Sequence, residues 1–113
     1  MKWTKADVKH LPSGGDFIKA IDVGAKKLCL IRIEERVYAT QLKCPHAGAD
    51  LSRGFCKNGK LICPYHRYSY NLSTGKGDAG RGDYIETYPV EVRNDGIYIN
   101  LPERWKFFKN LFQ

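Results

Sequence analysis

Two short segments hold the residues best suited to chemistry. Cys44-Pro45-His46 and Cys63-Pro64-Tyr65-His66 form a C-x-H … C-x-x-H pair. Each half offers one soft thiolate and one borderline imidazole, donor types that bind zinc and iron. A proline in each half stiffens the backbone and lowers the entropy cost of presenting the donors together. Two kinds of metal group can use such a set. A structural zinc ion takes two Cys and two His tetrahedrally, but its usual first half is C-x2–4-C, with the histidines paired later. Here each half mixes one Cys with one His, which suits a [2Fe–2S] core whose irons are ligated separately, one by both thiolates and the other by both imidazoles.

Four ligands converge only if the elements between and around them bring the two segments side by side. Short β-rich runs separated by turn signals recur along the chain. Residues 16–22 and 27–34 flank a turn at Val23-Gly24-Ala25, and 37–42 follows Glu35-Arg36. Between the ligand pairs, 54–56 and 61–63 flank Asn58-Gly59, a strong hairpin signal because both turn positions want positive φ. Near the end, 88–93 and 97–101 surround Asn94-Asp95-Gly96, a second turn of that kind. The pattern predicts an all-β fold, an antiparallel sandwich or partial barrel with both ligand loops at one tip.

At 113 residues the chain is expected to form one domain, 1–113, too short to house a second catalytic domain. A formal net charge of +7 favours acidic partners, yet the basic residues form no block of the kind that marks a specific nucleic-acid site. Residues 1–10 lack an apolar run, and the cluster Leu28-Cys29-Leu30-Ile31 is interrupted at Arg32. The expectation is therefore a soluble, cytoplasmic protein without a transmembrane anchor. In that compartment four cysteines read as metal ligands or buried thiols rather than a disulfide frame. Four glycines between 75 and 82 predict a mobile loop, and the Arg81-Gly82-Asp83 within it reads as coincidence. In the tail, 102–113, Trp105, Phe108, Leu111 and Phe112 share one face of a short helix expected to pack on the sandwich.

Beyond the ligands, Gly48 and Leu51 complete C-x-H-x-G-x-x-L, while Tyr70 and Thr74-Gly75 complete C-P-x-H-x-x-x-(aromatic)-x-x-x-(S/T)-G. This arrangement resembles the Rieske iron–sulfur family. The resemblance implies a cluster-binding subdomain over about 43–75 and a [2Fe–2S] cluster held by Cys44, His46, Cys63 and His66. Replacing two thiolates by neutral imidazoles leaves the oxidised core without net charge and raises its potential into a range of roughly −150 to +300 mV. Reduction raises the proton affinity of the imidazoles, so the potential is expected to fall with pH above their oxidised-state pKa values.

High-potential members of the family have a further cysteine in each ligand loop, joined by a disulfide. The matching positions here are Ala49 and Tyr65, so that bridge cannot form. Their serine facing a bridging sulfide is matched by Tyr68, whereas Tyr70 matches a tyrosine able to donate to a ligand sulfur. Arg67 replaces the glycine common after the second histidine, and either adds positive charge near the cluster or points into solvent. The missing disulfide and serine predict a potential near the bottom of the range, with Tyr70, and Arg67 if it faces the cluster, acting the other way. Cys29, Cys56 and His10 read as bystanders.

A cluster alone moves electrons and selects no substrate. The resemblance therefore implies a stand-alone ferredoxin, passing single electrons from a flavin reductase to a terminal oxygenase or reductase. The docking face is expected around His46 and His66, with Pro45, Leu51, Pro64, Tyr65 and Tyr68 as neighbours. Two other roles fit the family: a regulatory or structural subunit like the small subunit of nitrite reductase, and a redox sensor.

Overall fold

The computed structural model describes residues 2–8, 15–45, 48–65, 67–77 and 83–102. Ten strands occupy them: β1 (Lys2–Asp7), β2 (Phe17–Val23), β3 (Lys26–Ile33), β4 (Arg36–Gln41), β5 (Phe55–Lys57), β6 (Lys60–Ile62), β7 (Ser69–Asn71), β8 (Thr87–Tyr88), β9 (Val90–Arg93) and β10 (Gly96–Leu101). One 3-10 turn, Leu51–Arg53, is added, and no α-helix forms among the described residues.

Seven strands make one antiparallel sheet in the order β8-β4-β3-β2-β1-β10-β9. Its two edge strands are consecutive in the chain and separated only by Pro89, which has no N–H to continue a ladder. The Asn100 N–H donates to the Pro89 carbonyl at 3.0 Å, so the sheet curls until its edges nearly meet. This is the expected antiparallel partial barrel. A separate sheet, β5-β6-β7, carries the second ligand segment.

Strand β3 links two apolar cores. Leu28 and Leu30 face Ala6, Ile21, Val23, Ala39, Tyr88 and Ile99 inside the barrel. Cys29 and Ile31 point the other way, into a cluster with Cys44, Leu51, Leu61, Cys63, Tyr70 and Ile85. Alternate side chains on a strand face opposite sides, so a strand covered on both faces reads as an unbroken apolar run. That explains Leu28-Cys29-Leu30-Ile31, all at most 1% exposed.

The hairpin at Asn58-Gly59 has φ of +52° and +76°, as its residue types require. Several expectations change. β1 had no counterpart in the sequence reading, yet it pairs with both β10 and β2. The predicted strand 88–93 is divided at Pro89 between the two sheet edges. The turn before β10 places positive φ only on Gly96. The glycine segment expected to be mobile is pinned over 75–77: Asn71 N–H reaches Lys76 O at 2.8 Å, Ile85 N–H reaches Gly75 O at 2.8 Å and Gly77 N–H reaches Asp83 O at 2.9 Å. Residues 78–82, and the tail helix expected within 103–113, lie outside the described residues.

Candidate metal centre

The two cysteines at the heart of the motif occupy equivalent places in two equivalent loops. Lys43 bridges Asp50 around loop 44–49, and Ile62 pairs with Ser69 around loop 63–68. In each loop the first residue is the cysteine, and its N–H closes the loop onto the carbonyl of the last residue. Cys44 N–H reaches Ala49 O and Cys63 N–H reaches Tyr68 O, both at 2.8 Å. In each the fifth residue is left-handed, Gly48 at φ +64° and Arg67 at φ +55°.

Each loop is held from below. Leu51 N–H donates to Leu42 O at 2.7 Å, and the Asp50 carboxylate caps the 3-10 turn by accepting from Ser52 N–H at 2.9 Å. After the second loop, the Asn71 side chain accepts from Ser73 N–H at 2.8 Å and Thr74 N–H at 3.1 Å, fixing the turn into Gly75. Gly75 is required there. At φ +80°, a Cβ would lie 2.1 Å from the Ile85 carbonyl oxygen.

Cys44 and Cys63 are 2% and 0% exposed, are unbridged by any disulfide, and stand as neighbours in one buried cluster. Burial pushes the Cys63 thiol up, and the neighbouring Cys44 acts in the same direction. The Tyr65 backbone hydrogen bond to Cys63 pulls the other way, favouring the thiolate. The Tyr70 hydroxyl lies 3.5 Å from Cys44 Sγ. Burial, then Cys44, pushes the Tyr70 phenol up, keeping it a protonated donor. Two adjacent buried sulfurs with donors aimed at them form a setting that suits thiolates once a cationic metal compensates their charge. Such a donor set fits a [2Fe–2S] core on its cysteine side.

His46 and His66 lie outside the described residues, as does His10. Among the described residues no three Cys, Asp or Glu side chains gather as a metal site. Cys29 is buried in β3, where burial raises its thiol to about 12. Cys56, half-buried on β5, is raised to about 11 by burial.

Of the predicted docking neighbours, Pro45, Pro64 and Tyr65 are exposed, Tyr65 at 60%. Leu51 is not part of that surface: it is fully buried, because the 3-10 turn directs its side chain into the core beneath the first loop. Tyr68 is half-buried against the same core. Gly48 is exposed, with nothing within 4 Å of a Cβ, so its role is conformational. The sequence reading missed Gln41, whose side chain accepts from Glu86 N–H at 2.8 Å and donates to Lys43 O, tying the first loop to segment 83–88. Its polar alternation on β4 carried no signal of that role.

Comparison with known proteins accords with this geometry. The ferredoxin component of the naphthalene 1,2-dioxygenase system of Pseudomonas putida is 32% identical over 102 residues, covering 89% of this chain and 97% of that protein. The ferredoxin of carbazole 1,9a-dioxygenase from Nocardioides aromaticivorans IC177 superposes with a TM-score of 0.71 at 26% identity, over 88% of this chain and 96% of that one. A chain in the complex of reduced oxygenase and oxidized ferredoxin in carbazole 1,9a-dioxygenase superposes at 0.70 and 25% identity, over 86% and 99%. The Rieske [2Fe–2S] domain family matches residues 2–89, which span both loops and the barrel strands up to β8. With its paired buried cysteines in twin loops on an antiparallel barrel, the chain belongs to the Rieske [2Fe–2S] domain family, whose cofactor is a [2Fe–2S] cluster.

Proposed function

We propose that this protein is a one-electron carrier of the ferredoxin type, passing electrons from a flavin reductase to a terminal oxygenase or reductase. The observation that carries the reading is the convergence of Cys44 and Cys63 at the first positions of two equivalent loops, buried and in contact. When bound, the cluster supplies a reversible single-electron couple. The proposed ligands are Cys44 and Cys63 on one iron, His46 and His66 on the other. Around them the chain keeps the sulfurs dry and directs the Tyr70 hydroxyl and a Tyr65 backbone hydrogen bond toward them. The relatives' roles in dioxygenase systems support delivery to an oxygenase. Among the described residues no helix is long and apolar enough to cross a membrane.

The test is direct. The purified full chain should show a visible iron–sulfur spectrum, take up one electron per chain, and be reoxidised by a partner oxygenase with substrate turnover. A colourless protein with stoichiometric zinc would refute the reading. Binding that follows redox state without turnover would replace the carrier by a sensor.

A further inference from the structure

The twin loops differ at one position in a way that the fold does not require. At the fifth, left-handed position the first loop has Gly48 and the second has Arg67. A Cβ in this conformation crowds the following carbonyl, so glycine is the relaxed choice. The other non-glycine residues with positive φ among those described are Glu34, Glu35 and Asn58. All three sit in two-residue hairpin turns, β3 to β4 and β5 to β6, that demand the conformation. Arg67 belongs to no such turn. It is exposed and makes no hydrogen bond or ion pair among the described residues. The strain at this position is offset by no hydrogen bond or ion pair of Arg67 among the described residues.

The two loops differ in their neighbours. Beside the first loop, Pro45 borders a hollow of about 280 Å3 shared with Gln41, Asp83, Tyr84 and Glu86, so carboxylates flank that side. On the second loop the exposed Tyr65 is followed two positions later by Arg67, also exposed. We infer that Arg67 is a docking residue, whose guanidinium steers a carboxylate-bearing face of the redox partner onto the second ligand loop. A planar guanidinium matches a carboxylate, and a cation on the second ligand loop biases approach before contact forms. The inference rests on the electron-carrier reading.

The test needs no cognate partner. The reduced full chain is mixed with hexacyanoferrate(III), a trianion that accepts one electron and becomes hexacyanoferrate(II), with no bond made or broken. A parallel series uses the tris(phenanthroline)cobalt(III) trication. At about 10 mM ionic strength, Arg67→Gly should slow the anionic oxidant roughly fivefold and speed the cationic one. Near 0.5 M salt the roughly fivefold gap should close, because charges are screened within a few ångström. Arg67→Lys should keep the wild-type rates. Relief of backbone strain should also raise the melting temperature of Arg67→Gly by roughly 4 °C.

Equal rates for wild type and Arg67→Gly overturn the inference, as does a shift of both oxidants in the same direction, which marks a change in driving force. A lower melting temperature overturns it too, by giving Arg67 a structural role. If the wild type takes up one electron and only these comparisons fail, the carrier reading stands. If it takes up none, both fall.

Discussion

Tyr70 places its hydroxyl 3.5 Å from the sulfur of Cys44, although 26 positions separate them in the chain. Both are buried, and the contact joins the strand leaving the second loop to the first residue of the first. A phenol donating to a metal-bound thiolate stabilises the added negative charge on reduction.

Tyr70→Phe retains the ring and removes that donor. The reduction potential should fall, since a differential of about 1 kcal/mol equals about 40 mV for one electron. Protein-film voltammetry reads the shift, and an unchanged or higher potential would show that the hydroxyl does not favour the reduced state.

The four cysteines divide by position. Cys63→Ala should abolish the visible absorbance of the purified protein. Cys56→Ser and Cys29→Ala should leave it at wild-type intensity per chain, because neither side chain joins the Cys44–Cys63 pair. Iron and sulfide analysis of the three variants checks this, and loss of the cluster in Cys56→Ser would contradict the proposed ligand set.

Alkaline sensitivity follows from Cys29. Burial raises its thiol from 9.0 to about 12. Its neutral form is favoured by folding, so the contribution is fully present below about pH 9 and is lost as pH rises toward 12. Across that window each pH unit removes about 1.4 kcal/mol. Melting temperatures taken by circular dichroism between pH 9 and 11 should therefore fall more steeply for the wild type than for Cys29→Ala. Parallel slopes would mean that the thiol ionises as freely in the folded chain as in the unfolded one.

Two left-handed glycines should respond differently to alanine. At Gly75 the added methyl meets the Ile85 carbonyl at 2.1 Å in addition to the strain at φ +80°. A loss of about 3 kcal/mol or more is expected, enough to impair folding. At Gly48 nothing lies within 4 Å, so only the backbone term remains, about 1 kcal/mol. Thermal melts of the two variants distinguish the cases, and comparable losses would show that the Gly75 backbone can yield.

Local sequence carried much of this fold. Asn58-Gly59 specified its hairpin because positive φ is a property of those two residues. Strand β1, Lys2–Asp7, was illegible, since its short mixed run acquires meaning only from its partners β2 and β10. The break at Pro89 between the two sheet edges was equally hidden. Leu51 was misread as surface because loop residues are usually exposed, whereas the 3-10 turn points it inward.

For the site itself, the sequence by itself determined the chemistry: donor types, their spacing, and the two loops that present them. A C-x-H and a C-P-x-H segment constrain which metal groups are possible, because ligand type and local spacing are covalent facts. Only the tertiary structure decided that Cys44 and Cys63 meet, that Tyr70 reaches Cys44, that the loops are structural twins, and that Arg67 holds a position its twin gives to glycine. Those relations depend on strand register and barrel closure, which sum weak contacts across distant segments and leave no local trace in the residues they join.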